Sequence, residues 1–135
     1  MAMKTDAIYE AYMGDMNKEF TRKVRERIHW ICTNVQGDTV LDVGCSQGIT
    51  SILLGSEKKK VTGIDTEKEC IEFAIDKLQG ESEEVRQSVY FRQENFLAFK
   101  AADHSFDTVV MTEVLEHVFN VEDFLLKAQV LTCNG

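Results

Sequence analysis

The chain has 135 residues, 44% of them hydrophobic and 28% charged, which is enough for one domain around one core. A formal net charge of -8 disfavours a broad electrostatic grip on nucleic acid or an anionic membrane. No apolar run could span a bilayer and no signal-peptide-like region opens the chain, so a cytoplasmic protein is expected.

There is no proline, so glycines and short polar runs mark the boundaries. Residues 2–13 suit a short helix carrying Tyr9 and Tyr12, interrupted by Gly14 and Asp15. Phe20, Val24, Ile28, Ile31 and Val35 then recur at helical spacing, with Gly37 as the stop. Arg22, Lys23, Arg25 and Arg27 on that helix read as a solvated face. Residues 1–36 are accordingly expected to be N-terminal helices packing on a sheet, and 37–135 the core.

The core opens on Val40-Leu41-Asp42-Val43-Gly44-Cys45-Ser46-Gln47-Gly48, a buried-strand pattern that breaks at Gly44 and passes into an apolar helix from Ile49. Two glycines would let backbone approach a ligand closely, and an acid beside the turn suits an ammonium group better than a pyrophosphate. A second strand at 61–64 ends at Asp65. Thr66-Glu67-Lys68-Glu69 fits a capping box for a helix burying Cys70, Ile71, Ala74, Ile75 and Leu78. Residues 80–84 read as a polar turn, 89–92 as the third strand, 93–105 as Gln93-Glu94-Asn95 and an irregular stretch, and 106–111 as the fourth strand. Asn120, helped by Asp123, is expected to cap a last helix burying Val121, Phe124, Leu125, Ala128 and Leu131.

Strands alternating with helices imply an α/β fold: a Rossmann-like parallel sheet with helices on both faces and strand order 3-2-1-4. Asp42, Gly44, Asp65, Glu94 and Glu113 then fall at the carboxyl ends of strands, within reach of one ligand. Cys32, Cys45, Cys70 and Cys133 lack metal or disulfide spacing and read as reduced thiols. His29 and His104 stand without an evident partner, and Asp107, at the start of a strand, reads as structural.

From about residue 24 onward the motifs resemble those of class I S-adenosylmethionine-dependent methyltransferases. Residues 40–48 resemble the first motif, 61–65 the acidic second, 91–99 the third, and 105–107 with Glu113-Val114-Leu115-Glu116-His117-Val118 the fourth. The fourth is most similar to small-molecule enzymes of quinone biosynthesis. The resemblance implies S-adenosylmethionine as cofactor and a small-molecule methyl acceptor as partner. It implies that Gly44 and Gly48 pass close to the methionine moiety, with Cys45 in the turn and Asp42 near the ammonium group. Asp65, with Thr66 beside it, would bond the ribose hydroxyls. Glu94 and Asn95 would meet the adenine, Glu94 where the family usually has aspartate, and Glu113 would lie near the amino-acid end or the acceptor. Ser46 departs from the family's middle glycine.

Catalytic residues stay open, with Glu113 and His117 as candidates. Glu113, Glu116 and His117 also resemble the metal ligands of RNA 3′-terminal 2′-O-methyltransferases, the alternative to a metal-free site. A non-catalytic Rossmann-like module binding a nucleotide or protein is the other alternative. The family domain would continue past the fifth strand, so the chain reads as truncated before it. The fourth strand would then be an apolar edge inviting a homo-oligomer.

Overall fold

The computed structural model describes residues 7–112 and 114–132. Four parallel strands form one sheet in the order β3-β2-β1-β4: β1 (Thr39–Val43), β2 (Lys60–Asp65), β3 (Val89–Gln93) and β4 (Thr108–Met111). The expected architecture and strand order are borne out. Asp42 sits in register between Gly63 of β2 and Val110 of β4.

Alternation along the strands divides the core into two layers. Val40, Val61, Val89, Phe91 and Val110 point to one face, where helix α3 (Ile49–Ser56) and helix α4 (Lys68–Gln79) cover them with Ile52, Leu54, Ile71, Ala74 and Leu78. Leu41, Val43 and Ile64 point to the other, under Phe96, Phe99 and the Phe124 and Leu131 side chains of helix α6 (Val121–Leu131). Burying each such side chain contributes about 1.5–3 kcal/mol.

The N-terminal segment forms helix α1 (Ile8–Met13) and helix α2 (Lys18–Asn34). Asn17 starts α2, its side chain accepting from the Phe20 amide at 2.9 Å. Val24, Ile28 and Ile31 are buried as expected, whereas Phe20 is exposed. Tyr9 packs edge-on against Phe73 of α4, with ring centroids 5.5 Å apart. His29, expected to lack a partner, meets the Tyr12 hydroxyl at 2.6 Å, and His104 Nδ1 lies 2.6 Å from the Thr132 carbonyl. Both partners are remote in sequence and adjacent only once helices or strands pack.

Other local expectations give way as well. The segment read as a polar turn continues into helix α5 (Glu83–Ser88), capped by Ser82 and anchored by the single buried residue Val85. The capping box at Thr66 and Glu69 does not form: the cap position of α4 is Glu67, without a side-chain bond, and Asp65 Oδ1 accepts from the Glu67 amide at 2.9 Å. Ile75 and Leu125 lie on outward helix faces and are exposed. Asn120 makes no side-chain cap bond. The fourth strand starts two residues later than expected, because Phe106 forms an isolated parallel bridge with Thr132. Asp107 has the structural role expected, its Oδ2 accepting from the Asp38 and Thr39 amides at 2.7 and 3.1 Å. No described helix is long and apolar enough to cross a membrane.

Candidate functional site

The turn after β1 is drawn onto the end of β2. The Gly44 and Cys45 amides donate to the Ile64 carbonyl at 2.8 and 3.0 Å, and the Ser46 amide donates to Asp65 Oδ2 at 2.8 Å. Left-handed backbone makes this possible: φ is +73° at Gly44, +51° at Ser46 and +89° at Gly48. At Ser46 a side chain tolerates that conformation at a cost of about 1–2 kcal/mol. Its buried hydroxyl oxygen has no hydrogen-bond partner among the described residues.

Above the turn lies a cavity of about 590 Å³, within the usual range for small-molecule sites. Of the expected residues, Asp42, Gly44, Cys45, Asp65, Thr66, Glu94, Asn95 and His117 line it. Gly48 does not: a Cβ there would sit 2.7 Å from both the Ala74 Cβ and the Phe91 ring, so its bareness serves helix packing. A Cβ at Gly44 would lie 2.5 Å from Val114, which itself lines the cavity. Glu113 lies outside the described residues. Glu116 is exposed and away from the cavity lining, and among the described residues no three metal-ligating side chains cluster.

The two central acids differ in their surroundings. Asp42 is 1% exposed, and its bonded partner is the Ser51 hydroxyl of α3, which donates to Oδ2 at 2.8 Å. Gly63 permits that approach, since a Cβ there would lie 2.9 Å from the Ser51 oxygen. The Asp42 carboxyl is pushed up to about 7, chiefly by burial, with the Ser51 hydrogen bond opposing and the Asp65 charge adding to the rise. Asp65 is more open, with one oxygen held by the Ser46 amide and the other by the Glu67 amide. Each oxygen keeps a lone-pair direction for a further donor.

Next to them, the Glu94 amide donates to the Asp65 carbonyl at 3.0 Å, and the Glu94 carboxylate pairs with Arg92 at 2.8 Å. Asn95 Oδ1 accepts from the Leu97 amide at 3.0 Å, capping a single 3-10 turn, Phe96–Ala98. Burial pushes the Cys45 thiol well above its ordinary range, the Asp42 and Asp65 charges adding to it, which disfavours the thiolate.

Three participants were not legible as such. Arg27, read as part of a solvated face, reaches the cavity lining beside Ile28 and Ile31, and Ile8 joins from α1. Gln47 ties the turn to α1: its Oε1 accepts from the Tyr9 amide at 2.8 Å and its Nε2 donates to Glu10 at 3.3 Å. A polar residue inside the turn bracketed by Gly44 and Gly48 was the signal available for Gln47; for Arg27, the signal was its position one residue before the buried Ile28.

A parallel sheet with a glycine-bearing turn and acids gathered at the carboxyl ends of its strands defines a Rossmann-like α/β protein. The family described as "Methyltransferase domain" matches residues 41–135, and the chain belongs to that family, as the resemblance of its motifs implied. The ubiquinone biosynthesis O-methyltransferase of Methylocella silvestris is 29% identical over 123 residues, covering 90% of this chain and 46% of that protein. The protein of the same name from Rickettsia typhi is 36% identical over 99 residues, covering 71% of this chain and 37% of its own length. The chain thus spans less than half the length of these curated relatives. Among solved structures, a SAM-dependent methyltransferase from Methanosarcina mazei matches with a TM-score of 0.64 at 27% identity, covering 76% of this chain and 51% of that one. The PH0226 protein of Pyrococcus horikoshii shares the fold with a TM-score of 0.74 at 18% identity, over 96% of this chain and 60% of that one.

Proposed function

We propose that the chain is the cofactor-binding part of an S-adenosylmethionine-dependent methyltransferase that acts in the cytoplasm on an oxygen of a small-molecule acceptor. The observation that carries the reading is the pair Asp42 and Asp65 lining one cavity beside a glycine turn. The residues suit the cofactor: a buried carboxyl bonded to no cation among the described residues, an orphaned Ser46 hydroxyl, and a carboxylate oriented by two amides. The oxygen acceptor is inferred from the relatives' names, and the cytoplasm from the free thiols Cys32, Cys45 and Cys70.

When bound, the cofactor supplies a sulfonium whose methyl group is already electrophilic. Asp65 accepts the ribose hydroxyls with its remaining lone pairs, and its two amide bonds keep the carboxylate from turning away. Asp42 balances the ammonium group. Arg27 faces the carboxylate of the same amino acid. Glu94 and Asn95 would border the adenine. His117 takes the proton that an acceptor hydroxyl gives up.

Calorimetry with S-adenosylhomocysteine tests the cofactor assignment. Binding is expected, and Asp65→Ala should weaken it by about 100-fold, the worth of one or two charge-assisted hydrogen bonds. A preference for NAD over S-adenosylhomocysteine sinks the reading.

A further inference from the structure

We propose that Lys127 is a positioning residue: from α6 it sets the shape of the adenine end of the cavity, and with it the preference for adenine over a base lacking the exocyclic amino group. The proposal rests on the cofactor reading above.

Lys127 turns inward. Its Nζ donates to the Phe96 carbonyl at 2.6 Å and to the Phe99 carbonyl at 2.5 Å, and lies 5.3 Å from the centroid of the Phe96 ring. One helical turn earlier, the Phe124 ring stacks obliquely on Phe96 with centroids 5.4 Å apart. The inner face of α6 therefore grips the 3-10 turn that follows Glu94 and Asn95 from both its carbonyl and its ring side. Asn95, Phe96 and Phe124 all line the cavity.

So short a turn does not hold itself. Within it are the Leu97 amide to Asn95 Oδ1 bond, the Ala98 amide to Asn95 carbonyl bond at 3.0 Å, and the Phe99 amide to Phe96 carbonyl bond at 3.2 Å. Isolated 3-10 turns have poor hydrogen-bond geometry and leave their last carbonyls open. An ammonium with three donors bonds the Phe99 carbonyl just past the turn and adds a second bond to the Phe96 carbonyl, which already accepts from the Phe99 amide. Bringing the charge inward costs desolvation, which two charge-assisted bonds and an aromatic face offset. The energetics leave the same mark on its titration: burial lowers the Lys127 pKa and the Glu94 carboxylate raises it. Lys127 thus stands in the field of Glu94 while holding the backbone that carries Asn95. Discrimination of a purine by its edge depends on donors and acceptors fixed to a few tenths of an ångström, and a site built to bond a particular group rejects analogues without it.

The test compares S-adenosylhomocysteine with S-inosylhomocysteine, whose hypoxanthine lacks the amino group, by titration calorimetry on the 135-residue chain. The wild type should prefer the adenosyl compound. Lys127→Met keeps the aliphatic stem but not the donors; it should lose about tenfold in adenosyl affinity and under about twofold in inosyl affinity, collapsing the preference. Lys127→Arg should restore most of it. Hydrogen exchange without ligand supplies the second readout: protection of the 97–99 amides should fall in Lys127→Met and return in Lys127→Arg. If Lys127→Met does not fold, Lys127→Gln takes its place in both measurements. Equal weakening of both ligands, an unchanged preference, or unchanged protection at 97–99 overturns the proposal. A wild type that binds neither compound overturns the cofactor reading itself, an outcome separate from failure confined to the Lys127 variants.

Discussion

The two rims of the cavity are built on different terms. Along the rim made by the ends of β1 and β2, the Gly44, Cys45, Ser46 and Glu67 amides are each committed to the Ile64 carbonyl or the Asp65 carboxylate at 2.8–3.0 Å. Beyond β4, Thr112, Val114, His117 and Val118 form the facing rim on a 3-10 turn, Leu115–His117, that has no buried residue and no side-chain cap. Val114, Leu115 and Val118 are held there by apolar packing against the second core layer. Hydrogen bonds fix direction as well as distance, whereas apolar contact fixes position and leaves orientation loose. The first rim therefore suits a group that must be held in one orientation, and the second a group whose orientation is less constrained.

Breaking the packing beneath the first rim should cost most. Gly48→Ala forces a Cβ to 2.7 Å from Ala74 and Phe91 at a φ of +89°, and should lower folding stability by about 3–4 kcal/mol, read by urea denaturation. Next comes Asp42. Folding raises its carboxyl from 3.8 to about 7, so the folded chain keeps a proton that the unfolded chain releases. The stability this group confers is therefore full below about pH 4, falls as pH rises toward 7, and is level above, by on the order of 4 kcal/mol. Asp42→Asn should flatten that slope. An ammonium group beside Asp42 favours the ionised carboxyl, so S-adenosylhomocysteine, a zwitterion that carries one, should bind more weakly below pH 7 in the wild type but not in Asp42→Asn. Equal pH profiles for the two proteins argue against an ionised Asp42 in the complex.

Substitutions reaching the second rim should do less. Gly44→Ala meets the end of the Val114 side chain, which can yield; a loss of about 1–2 kcal/mol is expected, most of it backbone strain at φ +73°. His117→Ala should change stability by under about 0.5 kcal/mol and S-adenosylhomocysteine affinity by under about twofold, because no described element relies on the exposed imidazole. A large loss at His117 would erase the contrast between the rims.

How far the chain could be read follows from the range of each interaction. β1, β2 and β3 and the helices α2, α3 and α4 were evident because the hydrophobic period and the glycine breaks lie within a dozen residues, and right-handed crossovers then left few strand orders open. Helix α5 was hidden: its six polar-rich residues bury Val85 alone, so no period shows, although Ser82 and two following glutamates are a start signal. Asp42, Asp65, Glu94 and Asn95 could be nominated because each lies at or just past the carboxyl end of a strand in one parallel sheet, which brings strand ends together whatever the side chains do.

What sequence alone determined, then, was the alternation, the turn, the acids and the family. Tertiary structure decided how those groups are held: that Ser51 supports Asp42 through the gap left by Gly63, that Gly48 serves packing, that Arg27 reaches the cavity, and that Lys127 from the last helix closes the turn beyond Asn95. The division is physical. Periodicity and turn chemistry act between near neighbours, whereas the environment of a buried charge is the sum of what distant segments bring to within about 4 Å of it.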